Sequence, residues 1–127
     1  MIFSDELIRV EIEISEIPWV KIFAKNEAKE LSDCDERTKN RLFAAAMITE
    51  RAMREFYEPD KINWASFGNQ VPKVHIHIQA RFKDDSFFPE PMWGAKQREG
   101  VKRDLNYERF VAFLNERLNF AQLSSIF

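Results

Sequence analysis

Between Ile8 and Ile14, apolar β-branched residues fill every second position, with Arg9, Glu11 and Glu13 between them. Alternation of period two predicts a half-buried strand within residues 7–14. Ser15-Glu16-Ile17-Pro18 follows as a turn, because proline fixes its own φ and restricts the residue before it. Trp19 to Phe23 then reads as a second short strand, antiparallel to the first. Further on the period changes. Leu42, Ala45, Ala46, Thr49, Ala52, Met53 and Phe56 recur at spacings of three and four, with charged residues over much of the rest. That pattern predicts a long amphipathic helix ending before Pro59, with its start marked by Ser32 and Asp35. Its alanine run, residues 44–46, permits close approach to a sheet or a partner helix.

Ile62 to Phe67 is a third strand, polar at Asn63 and Ser66, and Gly68-Asn69-Gln70 is a turn signal followed by Pro72. Val74 to Phe82 gives the clearest strand pattern in the chain. Residues 83–100 contain Pro89, Pro91, Gly94 and Gly100 and read as an irregular surface segment. Leu105, Phe110, Val111, Phe113, Leu114 and Leu118 form a second helical pattern, with Asp104 as the expected N-cap. No repeat, linker or low-complexity tract divides the sequence. The expectation is one α+β domain over residues 1–127.

Composition narrows the function classes. A single cysteine, Cys34, excludes an internal disulfide, a zinc ribbon and a dithiol redox motif. No run approaches the roughly 20 apolar residues of a membrane span, and no signal peptide is visible near Asp5 and Glu6. A cytoplasmic, reducing environment is therefore expected, with no membrane partner. A net charge of −2 argues against a broad face for a nucleic-acid polymer, yet it leaves room for a small anionic ligand.

The chemistry concentrates on the last predicted strand. The only two histidines, His75 and His77, lie two residues apart, so they project from one face together with Lys73 and Gln79. Val74, Ile76, Ile78 and Ala80 line the other face and should pack on the core. The polar face should look toward solvent or a site. An ammonium, two imidazoles and an amide on one stripe suit phosphate, and imidazole can attack phosphorus or serve as an acid or base. Two histidines on an exposed strand face are more commonly surface decoration, and period and composition alone do not settle the reading. A metal pair is the least supported alternative, since third and fourth ligands are not evident nearby. Arg81 and Lys83 continue past the histidines as solvated strand-end charges, or as guides for an anion. Trp93 is expected to pack, or to cover a site or a dimer seam.

The stretch from Lys61 to Asp85, with Asn63, Gly68, Gln70, Pro72, Lys73 and the run His75-Ile76-His77, closely resembles the active-site region of the histidine-triad (HIT) family of nucleotide hydrolases and transferases. Phe87-Phe88-Pro89-Glu90-Pro91-Met92-Trp93-Gly94 is similar to the tail of a bacterial HIT subgroup, and Pro18 to Phe23 to its second strand. The resemblance implies an antiparallel sheet of about five strands with one long central helix and a C-terminal helix, and a homodimer. It implies hydrolysis or transfer at the α-phosphate of a nucleoside phosphoramidate, dinucleoside polyphosphate or similar purine nucleotide conjugate.

By position, the resemblance makes His75 the nucleophile that forms a nucleotidyl-histidine, and His77 the ring that meets the phosphate and the scissile bridge. Asn63, Gly68 and Gln70 become the groups that position phosphate and ribose. No metal or cofactor is implied. Lys73 stands where the family pattern has its first histidine; it faces the same side and can attract phosphate, but a charged amine accepts no hydrogen bond. Ala24-Lys25 departs from the Pro-Arg that the subgroup shows after its second strand. The lysine at position 73 motivates an alternative: a nucleotide-binding or regulatory HIT-like domain with weak or lost catalysis.

Overall fold

The computed structural model describes residues 1–123. Its strands are β1 (Phe3–Ser4), β2 (Ile8–Ile12), β3 (Trp19–Ala24), β4 (Lys61–Ala65) and β5 (His75–Arg81), and its helices are α1 (Glu36–Tyr57) and α2 (Tyr107–Leu123). The strands form one antiparallel sheet in the order β1-β2-β3-β5-β4. This is the expected α+β arrangement. Two residues of β1 supply a strand that no periodicity announces, since it is too short to show one.

Register places the site. Val10 lies opposite Ile22, Ile22 opposite Ile76, and Val20 opposite Ile78, so these side chains share the face under α1. On the other face Phe23 lies opposite His75, Lys21 opposite His77, and Trp19 opposite Gln79, while Ala65 and Asn63 flank His77 and Gln79 from β4. Sheet and helices share one apolar cluster in which Leu42, Ala45, Ala46, Ala52 and Met53 of α1, and Phe110, Leu114 and Leu118 of α2, are buried with Ile8, Val10, Ile22 and Ile78. Ala45 and Ala46 let α1 lie close over β3 and β5.

Helix α1 starts at Asp35 and not at Ser32, which sits in a short 3-10 turn, Leu31–Asp33. The Asp35 carboxylate accepts from the Thr38 N–H at 2.7 Å and satisfies one of the free donors of the first turn. At the other end Glu58 adopts φ 49°, and its N–H donates to the Arg54 carbonyl, which closes the helix just before Pro59. Asp104 does not cap α2. Its carboxylate accepts from the Asn106 N–H in a local turn, and α2 begins one residue later, at Tyr107. Among the described residues no helix is long and apolar enough to cross a membrane.

Candidate functional site

Every residue of β5 is buried, on both faces. The polar stripe is therefore not open to solvent; a shelf of aromatic rings covers it. Phe23 stacks on His75 at 4.8 Å between centroids and 18° between planes. Trp93, from the irregular segment after β5, meets His77 edge to face at 5.0 Å and touches Trp19 at 5.2 Å and Phe67 at 4.7 Å. The two imidazoles lie 4.9 Å apart at 67°. Lys73 falls before the strand and is exposed.

The hydrogen bonds assign each imidazole a tautomer. His75 Nδ1 lies 2.7 Å from the Lys73 carbonyl oxygen. A carbonyl only accepts, so Nδ1 carries a hydrogen and Nε2 is the nitrogen that can present a lone pair. His77 is the reverse. The Trp19 indole N–H, which only donates, reaches His77 Nδ1 at 3.0 Å, leaving the His77 hydrogen on Nε2. Burial, aided by His75 and Lys21, lowers the His77 pKa to about 4, so this ring is neutral at physiological pH. One ring thus presents a lone pair and its neighbour an N–H. That pair of roles suits attack on an electrophilic atom beside a donor that steadies the charge developing there.

Arg81 corrects the reading of a solvated strand-end charge. It is 1% exposed, and its guanidinium grips Asp85 through Nε and Nη2 at 2.9 and 3.0 Å. It also donates to Asn63 Oδ1 at 2.9 Å and to the Glu90 carbonyl at 2.8 Å. Burial alone would raise the Asp85 pKa, but Arg81 and the N–H groups of Phe82, Phe87 and Phe88 more than offset it and hold the carboxyl at about 2. Arg81 thus ties β4, β5 and the segment 83–94 together, which holds Trp93 over His77. Arg98 adds bonds to the Asp85 and Phe88 carbonyls.

The remaining residues named from the sequence lie at two places. Asn63 is on the same face as the histidines, with its Oδ1 committed to Arg81. Gly68, Gln70 and Lys73 belong to the loop entering β5, where Gln70 is exposed. Among the described residues, the N–H groups of Gly68, Asn69 and Gln70 donate to no protein acceptor. Ser66 Oγ anchors the loop on the His75 carbonyl at 2.7 Å. Cations near the rings come from β2 and β3. Arg9 lies over Phe23 at 4.3 Å, and Lys21 is 5.7 Å from the same ring, each also paired with a glutamate of β2 or its end. Among the described residues no three His, Cys, Asp or Glu side chains come together as a metal-holding group.

The HIT domain profile matches residues 7–84 of this sequence, well over half of the chain. The chain belongs to the histidine-triad family. A histidine triad protein from Bradyrhizobium japonicum is 30% identical, with a TM-score of 0.77 over 92% of this chain and 88% of that one. One from Marinobacter aquaeolei VT8 is 25% identical, with a TM-score of 0.75 over 93% and 87%. A third, from Sinorhizobium meliloti 1021, shares the fold at 22% identity and a TM-score of 0.75, covering 91% and 87%. No curated protein matches the sequence. HIT proteins bind nucleotides and are in general hydrolases or transferases.

Within the family frame, the departure at Lys73 takes on a definite meaning. What residue 73 gives His75 is its backbone carbonyl, which any side chain at that position leaves in place. Sequence reading missed Trp19 as the partner of His77 and Arg81 as a buried clasp. The Trp19 contact spans 58 positions and needed the β3–β5 register, which periodicity does not supply.

Proposed function

We propose that this HIT protein hydrolyses or transfers at the α-phosphate of a purine nucleotide conjugate, a nucleoside phosphoramidate or a dinucleoside polyphosphate, in the cytoplasm. The observation that carries the reading is the opposed tautomers of His75 and His77 on one buried stripe. His75 Nε2 forms a bond to the α-phosphorus while the bond to the leaving nitrogen or oxygen breaks. The bonding pair departs with the leaving atom, which takes a proton from water. His75 becomes a nucleotidyl-imidazolium whose Nδ1–H stays on the Lys73 carbonyl. His77 Nε2–H steadies the phosphate or bridging oxygen without giving up its hydrogen. Water, or another acceptor, then displaces His75. Asn63, Gly68 and Gln70 position the phosphate and ribose, with the loop N–H groups as donors and Lys73 as a nearby charge.

His75→Ala should fold as the wild type and lose turnover of an adenosine phosphoramidate by at least a thousandfold. Undiminished activity in that variant contradicts the mechanism. The charge at Lys73 favours one other reading, a nucleotide-binding regulator. Calorimetry with a purine mononucleotide beside a turnover assay separates the two, since binding without turnover selects the regulator.

The reading includes a homodimer. Strand β4 ends the sheet, and beside it Phe43, Met47 and Trp64 leave apolar surface exposed, with Phe43 and Trp64 rings 6.4 Å apart. Edge strands with adjacent apolar surface favour pairing with a second copy.

A further inference from the structure

One row of side chains crosses the histidine face of the sheet from strand to strand. Ser4 lies opposite Arg9, Arg9 opposite Phe23, and Phe23 opposite His75. Because β3 runs between β2 and β5, Arg9 and His75 reach the Phe23 ring from opposite sides. The ring lies nearly parallel to the imidazole, at 18° and 4.8 Å, and carries the Arg9 guanidinium 4.3 Å from its centroid. Phe23 is buried, while Arg9 is partly buried with its Nε on Glu11. An aromatic ring offers negative π-density on both faces, so it attracts a cation from either side. Two cations on one ring share that density, and each weakens the other's hold. His75 is the member of the row whose charge changes, since attack on phosphorus turns it into an imidazolium. Other titratable or charged groups stand further off or in the next row. His77 is 4.9 Å away on β5, and Lys21, paired with Glu13, is 5.7 Å from the Phe23 ring. The Lys73 side chain is exposed in the loop before β5.

We propose that Arg9 is a positioning residue of the histidine site that acts through Phe23: it disfavours a charged His75 and so shortens the life of the nucleotidyl-His75 intermediate. The proposal rests on the reading of His75 as nucleophile. Phe23 alone would hold the imidazolium and slow its return to the neutral ring. With Arg9 on the far face, that hold is weaker. In the second step the water oxygen bonds to phosphorus, the bond from phosphorus to Nε2 breaks, and its electron pair returns to the ring. The attacking water gives its proton to solvent, so the positive charge leaves the stack as this step proceeds. Formation of the intermediate bears the opposite effect, which Arg9 makes slightly harder. A cation–π contact at a partly exposed site is worth about a two- to fivefold factor in either direction.

Two measurements test this, the first independent of catalysis. Arg9→Met keeps an apolar stem and removes the charge at a partly exposed position. In an NMR titration, the His75 ring should take up its proton about two- to fivefold more readily in Arg9→Met than in the wild type, and Arg9→Lys should restore at least half of the difference. In a Phe23→Leu background, Arg9→Met should have less than half that effect, because the shared ring is gone. An unchanged midpoint in Arg9→Met overturns the proposal, and an equal shift in both backgrounds overturns the part played by Phe23. The second measurement follows adenylated His75 by quenched flow with an adenosine phosphoramidate. Its breakdown should be about two- to fivefold slower in Arg9→Met and its formation no slower than in the wild type. Breakdown at the wild-type rate overturns the kinetic role. A shifted titration with no adenylated His75 in any variant would instead sink the nucleophile reading and leave the stack as a control on the charge of the ring.

Discussion

The indole of Trp19 decides which nitrogen of His77 holds the hydrogen. Trp19→Phe keeps a ring in the same place and removes only the donor. The expected result is a mixture of His77 tautomers in ¹⁵N NMR, where the wild type shows Nε2–H alone, and a kcat lowered about two- to tenfold, the worth of one hydrogen bond. A wild-type spectrum with the hydrogen on His77 Nδ1 contradicts the assignment. Acidity gives a second check. The His77 pKa lies at about 4 in the fold and near 6.5 in the unfolded chain, so on acidification the unfolded chain takes up the proton first. Stability should be at its plateau from this ring above pH 6.5 and fall as the pH drops toward 4. His77→Gln should lack that part of the slope in thermal melts recorded across the window. Gly68 offers a control: a Cβ there would come no nearer than 3.7 Å to the Val71 carbonyl oxygen, so Gly68→Ala should leave Tm within a degree or two.

At the scale of elements, β2, β3, β4, β5 and α1 are readable in the sequence because each carries its own period. Ile8, Val10 and Ile12 announce a strand by alternation, and Leu42, Ala45, Ala46 and Thr49 announce a helix by spacing. What periodicity cannot give is pairing. The polar stripe of β5 reads as exposed because nothing local says that Phe23 and Trp19 lie alongside it or that residues 83–94 fold back over it. Arg81 shows the consequence most plainly, since its partner Asp85 lies only four residues on but beyond a chain reversal. Arg81→Met would leave the Asp85 carboxylate buried without its cation, and should cost ~3–5 kcal/mol in urea denaturation. A loss under about 1 kcal/mol would mean that the clasp does not hold the segment. The histidines themselves were legible, as a motif, and their tautomers were not.

For the whole molecule, the fold sets a rigid stripe of two imidazoles against an aromatic cover and leaves β4 as one of the two edge strands of the sheet, β1 being the other. Sedimentation equilibrium should give twice the chain mass, and Met47→Glu combined with Trp64→Lys should halve it; a wild-type monomer at micromolar concentration contradicts the dimer. The central claim is that His75 Nε2 becomes bonded to phosphorus. Its most direct test is to quench the wild type during turnover of an adenosine phosphoramidate and examine the peptide carrying residues 75–81 by mass spectrometry. An adenylate mass on His75, absent in His75→Ala and cleared when substrate is exhausted, is the predicted result. Full turnover with no adenylated His75 at any time point would contradict the account.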